Sequence, residues 1–352
     1  MTDANTKPSR TPERLIASES PKATPRHSPR GAIAAGDRRD AGRALPDRAS
    51  LRPGSLAYRS AMVGAAVAGV RRIRLPEPRQ LGIHAEFDEI RITGLHMQGM
   101  PMLGMTLFEV TGAGKTTTAE EYAKRVNAGA EEGIVPVLHI RLDNSGTARS
   151  LYVEMLAKLG DGFALNGTEH SLRRRTLDAL HDSGTQLVII DESNHGGKKS
   201  GFGGEITSSV KLLLDGGVVP VALLGTEEAV PIFSKDMELS GRLTAPCHLG
   251  RLEWNDPYDN EVWCGFLANL DQRLVDDGIL AKRIGLDSNG LDQALNEASN
   301  GIIGQLMGTI RTAVRDTVRD GRDAVTLDDL VTAVDSWNVD HRFIGHNPLR
   351  NL

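Results

Sequence analysis

FEVTGAGKTTTAEEYAKRV, from Phe108 to Val126, places Gly112, Gly114, Lys115 and Thr116 at the spacing of a phosphate-binding loop. The pattern GxxxxGK followed by Ser or Thr asks for a first glycine where this chain has Glu109. Such a loop works only between a strand and a helix, because the turn must aim successive N–H groups at one anion. Here MTLFEV is apolar enough for the strand, Thr111 to Gly114 supply the turn, and a helix is expected from about Lys115. The first motif position lies at the strand end, where residues other than glycine fit. A carboxylate aimed inward would repel phosphate, so Glu109 is expected to point away.

Outward from this stretch, short apolar runs alternate with helix-periodic segments. IVPVLHIRL precedes SLYVEMLAKL and SLRRRTLDAL, and QLVII, ITSSVKLLLDG, VVPVALLG and EEAVPIFSKDMELSGRL follow. Continuous apolar strands separated by helices predict a parallel sheet covered on both faces. CHLGRLEW is expected to be a last strand. After Asn255 the spacing is helical throughout, with Thr326 and Asp329 placed as a capping box for the final helix. The fold class is α/β: a parallel-sheet phosphate-loop core over 105–254, then a small all-α domain over 255–340. Residues 61–104 are expected to be a linker region with FDEIRITGL as a short ordered piece, and 341–352 a tail.

LVIIDE, Leu187–Glu192, begins 72 residues after Lys115 and ends in two acids. On a strand beside the loop, Asp191 would join a magnesium shell and Glu192 would orient an attacking water. Composition narrows the partners. Residues 1–60 hold twelve Lys/Arg against six Asp/Glu, a balance of +6 that leaves −11 for the rest of a chain of net charge −5. With few large apolar residues they read as a disordered basic tail. Aromatics at 4% argue against a base-stacking platform for single strands. Two cysteines, Cys247 and Cys264, without a CxxC pair suggest neither a disulfide framework nor zinc, and a reduced cytoplasm is expected. No apolar run reaches the roughly 18 residues of a membrane helix.

The phosphate loop, LVIIDE, VVPVALLGTEEA, the arginine of SGRL and the helical carboxy-terminal segment together resemble an AAA+ ATPase. More narrowly, the chain from about Phe87 to Trp337 is similar to the TniB/TnsC family of transposition regulators, related in role to the Mu B protein. VPVALLGTEEAVPIFSKDMELSGRL and ASNGIIGQLMGTIRTAVRDTVRDGRDAVTLDDL carry that resemblance. It implies ATP and Mg2+ as ligands, with Thr111, Gly112, Ala113, Gly114, Lys115, Thr116, Thr117 and Asp191 holding the nucleotide, and Thr116 and Asp191 the metal. Glu192, Thr226 as the sensor at the end of the fourth strand, and Arg242 as a finger offered to a neighbouring subunit would be catalytic. Arg242 is equally readable as a surface salt bridge, with Arg251 a competitor.

The resemblance further implies a homo-oligomer on double-stranded DNA, acting with a DDE transposase and a target-selection protein and away from membranes. Lys198 and Lys199, in the glycine-rich loop after LVIIDE, are candidate DNA contacts, and Arg141, Thr147 and Arg149 are rivals. Gly304 stands where many AAA+ proteins place a lid arginine, so slow hydrolysis is expected. Gln305, or the stripe Arg311, Arg315 and Arg319, could substitute, although a solvated face suits that stripe better. A nucleotide-sensing scaffold for secretion or defence, or a helicase-loader-like ATPase, would share the same core motifs.

Overall fold

The computed structural model describes residues 51–142, 146–192, 204–288 and 290–352. Two helices precede the sheet: α1, Leu56–Arg72, and α2, Pro78–His96. The Ser55 hydroxyl accepts from the Tyr58 amide at 3.2 Å and opens α1. Pro78 opens α2, where its missing N–H costs nothing. The expected linker is therefore largely helical, and the ordered piece is more than twice the length of FDEIRITGL.

Strand β1, Gly104–Phe108, leads through the phosphate loop into α3, Lys115–Asn127. Then come β2, Val137–Leu142; α4, Ala148–Lys158; α5, Glu169–Asp182; β3, Leu187–Glu192; α6, Gly204–Asp215; and β4, Val221–Gly225. The four strands are all parallel in the order β1-β4-β3-β2. Side chains alternate between two cores, as strand geometry requires. Leu223 and Ile190 face α4 and α6, whereas Leu224 and Ile189 join Ile83, Phe87 and Tyr122 under α2 and α3. This alternation puts both sheet faces out of water.

CHLGRLEW does not form the expected fifth strand. The chain does approach β1 just before it: Gly104 N donates to Arg242 O at 2.9 Å, and Thr244 N to Gly104 O at 2.8 Å. The next ladder donor would be residue 246, but Pro246 has no N–H. Cys247 N bonds Thr106 O instead, at 3.0 Å, slipping the register by one residue. Beyond that point the segment has no strand assignment.

Two short helices, α7 (Val230–Lys235) and α8 (Met237–Ser240), separate β4 from this edge. The carboxy-terminal helices are α9, Pro257–Asp276; α10, Leu291–Ser299; α11, Ile303–Arg319; and α12, Leu327–Ala333. Their shared core contains Trp263, Leu267, Leu270, Leu306 and Ile310, and it also takes Ala66, Val70 and Ile73 from α1 and its end. Thus α1 packs with the helical domain, along α11. The capping box at Thr326 and Asp329 forms as expected. The expected tail also packs: Pro348 and Leu349 are buried, and Asn347 Nδ2 donates to Val331 O and Asp335 Oδ1, each at 2.9 Å. Both cysteines are free thiols.

Candidate functional site

The strand–loop–helix unit sets the site. Gly112 and Gly114 have φ of +89° and +103°, a region costly for residues with a Cβ. Gly114 caps α3 without a side chain, so the first amides of that helix face the loop. A Cβ on Gly114 would lie 2.9 Å from Gln80 Nε2, which also shows how closely α2 overhangs the loop. Lys115 Nζ folds back onto the loop, donating to Glu109 O at 2.6 Å and Val110 O at 3.0 Å. Thr118 Oγ1 donates to Gly114 O at 3.0 Å and braces the turn.

Glu109 points away from the loop, as its charge requires. Its side chain is 10% exposed. One carboxylate oxygen accepts from Leu249 N at 3.1 Å and lies 3.2 Å from His248 Nδ1. The residue that breaks the motif therefore ties the end of β1 to the segment lacking a proper ladder.

The second acidic half is adjacent. Thr111, Gly112, Gly114, Lys115, Thr116, Thr117 and Asp191 line one cavity of about 760 Å³. Ala113 is buried in the turn. Asp191 is 2% exposed, with His139 Nε2 at 3.6 Å and Arg141 Nε at 3.9 Å from its Oδ2. Glu192 follows as the last residue of β3. Thr226 comes directly after β4, and its Oγ1 is buried without a hydrogen-bond partner among the described residues. A buried hydroxyl left unpaired costs roughly 1–3 kcal/mol; Thr226 itself does not line the cavity, although its neighbour Gly225 does. Together with the positive-φ glycines and an acid–hydroxyl pair on one cavity, the residues present suit a magnesium–triphosphate.

The helical domain closes on the loop. Gly304 N donates to Gly112 O at 3.0 Å, and a Cβ on Gly304 would sit 2.7 Å from that same oxygen. The glycine found in place of a lid arginine is thus the residue that lets backbone meet backbone. Arg311 departs from the solvated-stripe expectation. It lines the cavity two turns further along α11 and lies over the Trp337 ring at 5.1 Å. Burial, then the Arg71 and Arg315 charges, lower its pKa. Arg315 and Arg319 pair with Asp316 and are the solvated part of that face.

Other expected residues are not brought to the cavity. Arg242 donates to Asp215 Oδ1 at 2.8 Å and to Glu238 O at 2.7 Å, and its own carbonyl receives Gly104 N at the opposite end of β1. Within one chain it is the surface pair. The rival DNA candidates have partners within their own chain. Arg141 lines the phosphate-loop cavity and is held by Glu120 and Asp191. Thr147 caps α4 by accepting from Ser150 N at 3.2 Å. Arg149 donates to the carbonyls of Gly167 and Leu165 at 2.6 and 2.5 Å. All three are occupied by their own chain. Lys198 and Lys199 lie outside the described residues.

Motif reading missed Gln80, Leu81 and His84 of α2, which line the cavity. His84 Nε2 donates to Thr118 O at 2.9 Å, and burial lowers its pKa, favouring neutral imidazole. No motif in the sequence marks these three residues. Among the described residues, no helix is long and apolar enough to cross a membrane.

Residues 94–253 match the family described as Bacterial TniB protein. No curated protein matches the chain. Solved structures with the same fold include an ORC2 protein of Aeropyrum pernix in ADPNP–ADP complexes, at 14% identity and TM-score 0.54, over 76% of this chain and 71% of that one. Cdc6p of Pyrobaculum aerophilum gives 13% identity and TM-score 0.56, over 77% and 70%. The Aeropyrum pernix ORC1 protein in complex with DNA gives 12% and 0.52, over 77% and 69%. The chain therefore shares its fold with these ORC and Cdc6 structures, a parallel-sheet core followed by a helical domain.

Proposed function

We propose that this chain, TniB-like over residues 94–253, is an ATP-dependent AAA+ ATPase that assembles on double-stranded DNA and regulates transposition. The observation that carries the reading is the single cavity shared by the phosphate loop, Asp191 and the closing helical domain. Loop amides and the start of α3 receive the phosphates, and Lys115 exchanges the Glu109 and Val110 carbonyls for a terminal phosphate. Thr116 and Asp191 would hold Mg2+, which neutralises charge on the phosphates. Glu192 orients the attacking water, and the Thr226 hydroxyl gains the partner it lacks. Bond cleavage gives ADP and phosphate.

Arg242, remote from its own cavity, serves a neighbour's, where such a finger is worth roughly three to five orders of magnitude in rate. The contact between Gly304 and Gly112 transmits loop occupancy to the helical domain. Assembly and disassembly are then the output, and turnover is slow because the helical domain brings backbone rather than an arginine at residue 304. Lys198 and Lys199 contact DNA phosphates. The structurally similar ORC1 protein was solved with DNA, which supports a nucleic-acid partner. A DDE transposase and a target-selection protein are the partners recruited.

Fluorescence anisotropy of a labelled duplex, with and without ATP, tests this. Binding should require ATP and fall by orders of magnitude between about 50 and 200 mM salt. ATP-independent binding, or none, would replace this reading with a protein-binding nucleotide sensor. Preference for single strands would favour a helicase-loader role.

A further inference from the structure

His139 Nε2 is a buried ring nitrogen with no hydrogen-bond partner among the described residues. Folded chains seldom leave such a nitrogen unpaired, because burial removes the water that would otherwise serve it. Its place follows from the register of β2 on β3. Val137, His139 and Arg141 lie opposite Leu187, Ile189 and Asp191, so all six side chains share one sheet face. Val137, Leu187 and Ile189 are buried in the core under α2 and α3. Toward the phosphate loop that face turns polar, and His139 becomes the diagonal neighbour of Asp191, within reach of a long side chain.

The two side chains are 12% and 3% exposed, and Nε2 stands 3.6 Å from Asp191 Oδ2. That distance is just beyond a hydrogen bond, so a small swing of the carboxylate would close it. Arg141 Nε approaches the same oxygen at 3.9 Å, but its side chain is 53% exposed and tied to Glu120. Both nitrogens therefore flank Oδ2, and neither takes Oδ1. Asp191 lines the phosphate-loop cavity whereas His139 does not, so the ring acts on a ligand through the carboxylate. A carboxylate in a metal shell needs a donor behind it to fix its orientation, and that outer partner tunes metal affinity.

We infer that His139 is a positioning residue for Asp191: its Nε2–H donates to Oδ2 and holds the carboxylate with Oδ1 turned to the magnesium shell. The inference rests on the reading of Asp191 as a magnesium residue and adds what orients it. Two variants separate donor from ring. His139→Phe keeps the ring and removes the N–H, whereas His139→Gln keeps a donor at similar reach and removes the ring. ATP affinity is measured by calorimetry with Mg2+ and with EDTA, and metal affinity by electron paramagnetic resonance of Mn2+ titrated into the ATP complex.

His139→Phe should bind Mn2+ roughly 10–100-fold more weakly and lose the same factor from the gain that Mg2+ gives to ATP affinity. Its affinity for ATP in EDTA should stay within about twofold of wild type, and His139→Gln should hold Mn2+ within about threefold. Normal Mn2+ affinity in His139→Phe would overturn the inference, as would a loss in His139→Gln equal to that in His139→Phe. A purely structural ring predicts the reverse order, with His139→Gln the more damaged and ATP binding weakened equally with and without metal; that outcome would also overturn it. A wild type whose ATP affinity ignores Mg2+ would instead remove the magnesium reading of Asp191, and the inference with it.

Discussion

Replacing Glu109 by glycine would restore the full phosphate-loop pattern, and the structure says it should harm the protein. The carboxylate accepts from Leu249 N at 3.1 Å in a site 7% exposed. Losing a charge-assisted bond of this kind costs roughly 1.5–3 kcal/mol, partly because a buried N–H is left without a partner. Glycine beside a strand end adds roughly 0.5–1 kcal/mol of backbone entropy. The pair with His248, whose side chain is 79% exposed, is screened by solvent and adds little. The expected total is about 2–4 kcal/mol, or a fall in Tm of roughly 3–6 °C at this chain length. Differential scanning calorimetry and urea titration measure it, and calorimetric ATP titration reads the site. Glu109→Gln, which keeps an acceptor, should lose less than half as much. Should Glu109→Gly bind ATP at least about tenfold more tightly with unchanged Tm, the assignment of Glu109 as a structural tie would be wrong.

Three other outcomes are expected. Thr226→Val removes an unpartnered buried hydroxyl, so stability should hold or rise by about 1 kcal/mol while ATP turnover drops; reduced stability with normal turnover would refute the role. Gly304→Ala forces a Cβ to within 2.7 Å of the Gly112 carbonyl. ATP affinity should weaken at least about tenfold with only a small change in Tm, and tighter binding would contradict the closure. Asp329 accepts from Arg322, then from Thr326, and the Arg322 hydrogen bond leads in holding its pKa below the usual carboxylate range. A depressed folded-state pKa stabilises above the unfolded value, near 4, and is lost as pH falls through the folded value. Asp329→Asn should therefore cost about 1 kcal/mol at pH 7, with the gap to wild type narrowing in acid titrations; a gap constant with pH would refute it.

The nucleotide half was legible because its chemistry demands particular residues in order. Gly112, Gly114, Lys115 and the acids closing LVIIDE need no tertiary information to be found. The parallel sheet was legible because buried strands must be continuously apolar. What failed depended on partners distant in sequence. Helix α2 hides its period by carrying apolar residues on two faces, and α1 is rich in Ala and Gly whose burial depends on α11. CHLGRLEW has a strand's composition, but Pro246 removes the donor that a ladder needs just before it. Arg141 and Arg149 look like free surface cations until Glu120 and the Leu165 and Gly167 carbonyls are seen to hold them.

The central claim, that loop and acid converge on one magnesium–triphosphate, is tested most directly by isothermal titration calorimetry with ATP and Mg2+. One nucleotide should bind per chain. Lys115→Ala should weaken uptake roughly 30–150-fold, the equivalent of about 2–3 kcal/mol for a charge-assisted contact. Asp191→Asn should abolish the gain in affinity that Mg2+ provides. No uptake by the wild type, or uptake indifferent to both substitutions, would contradict the account.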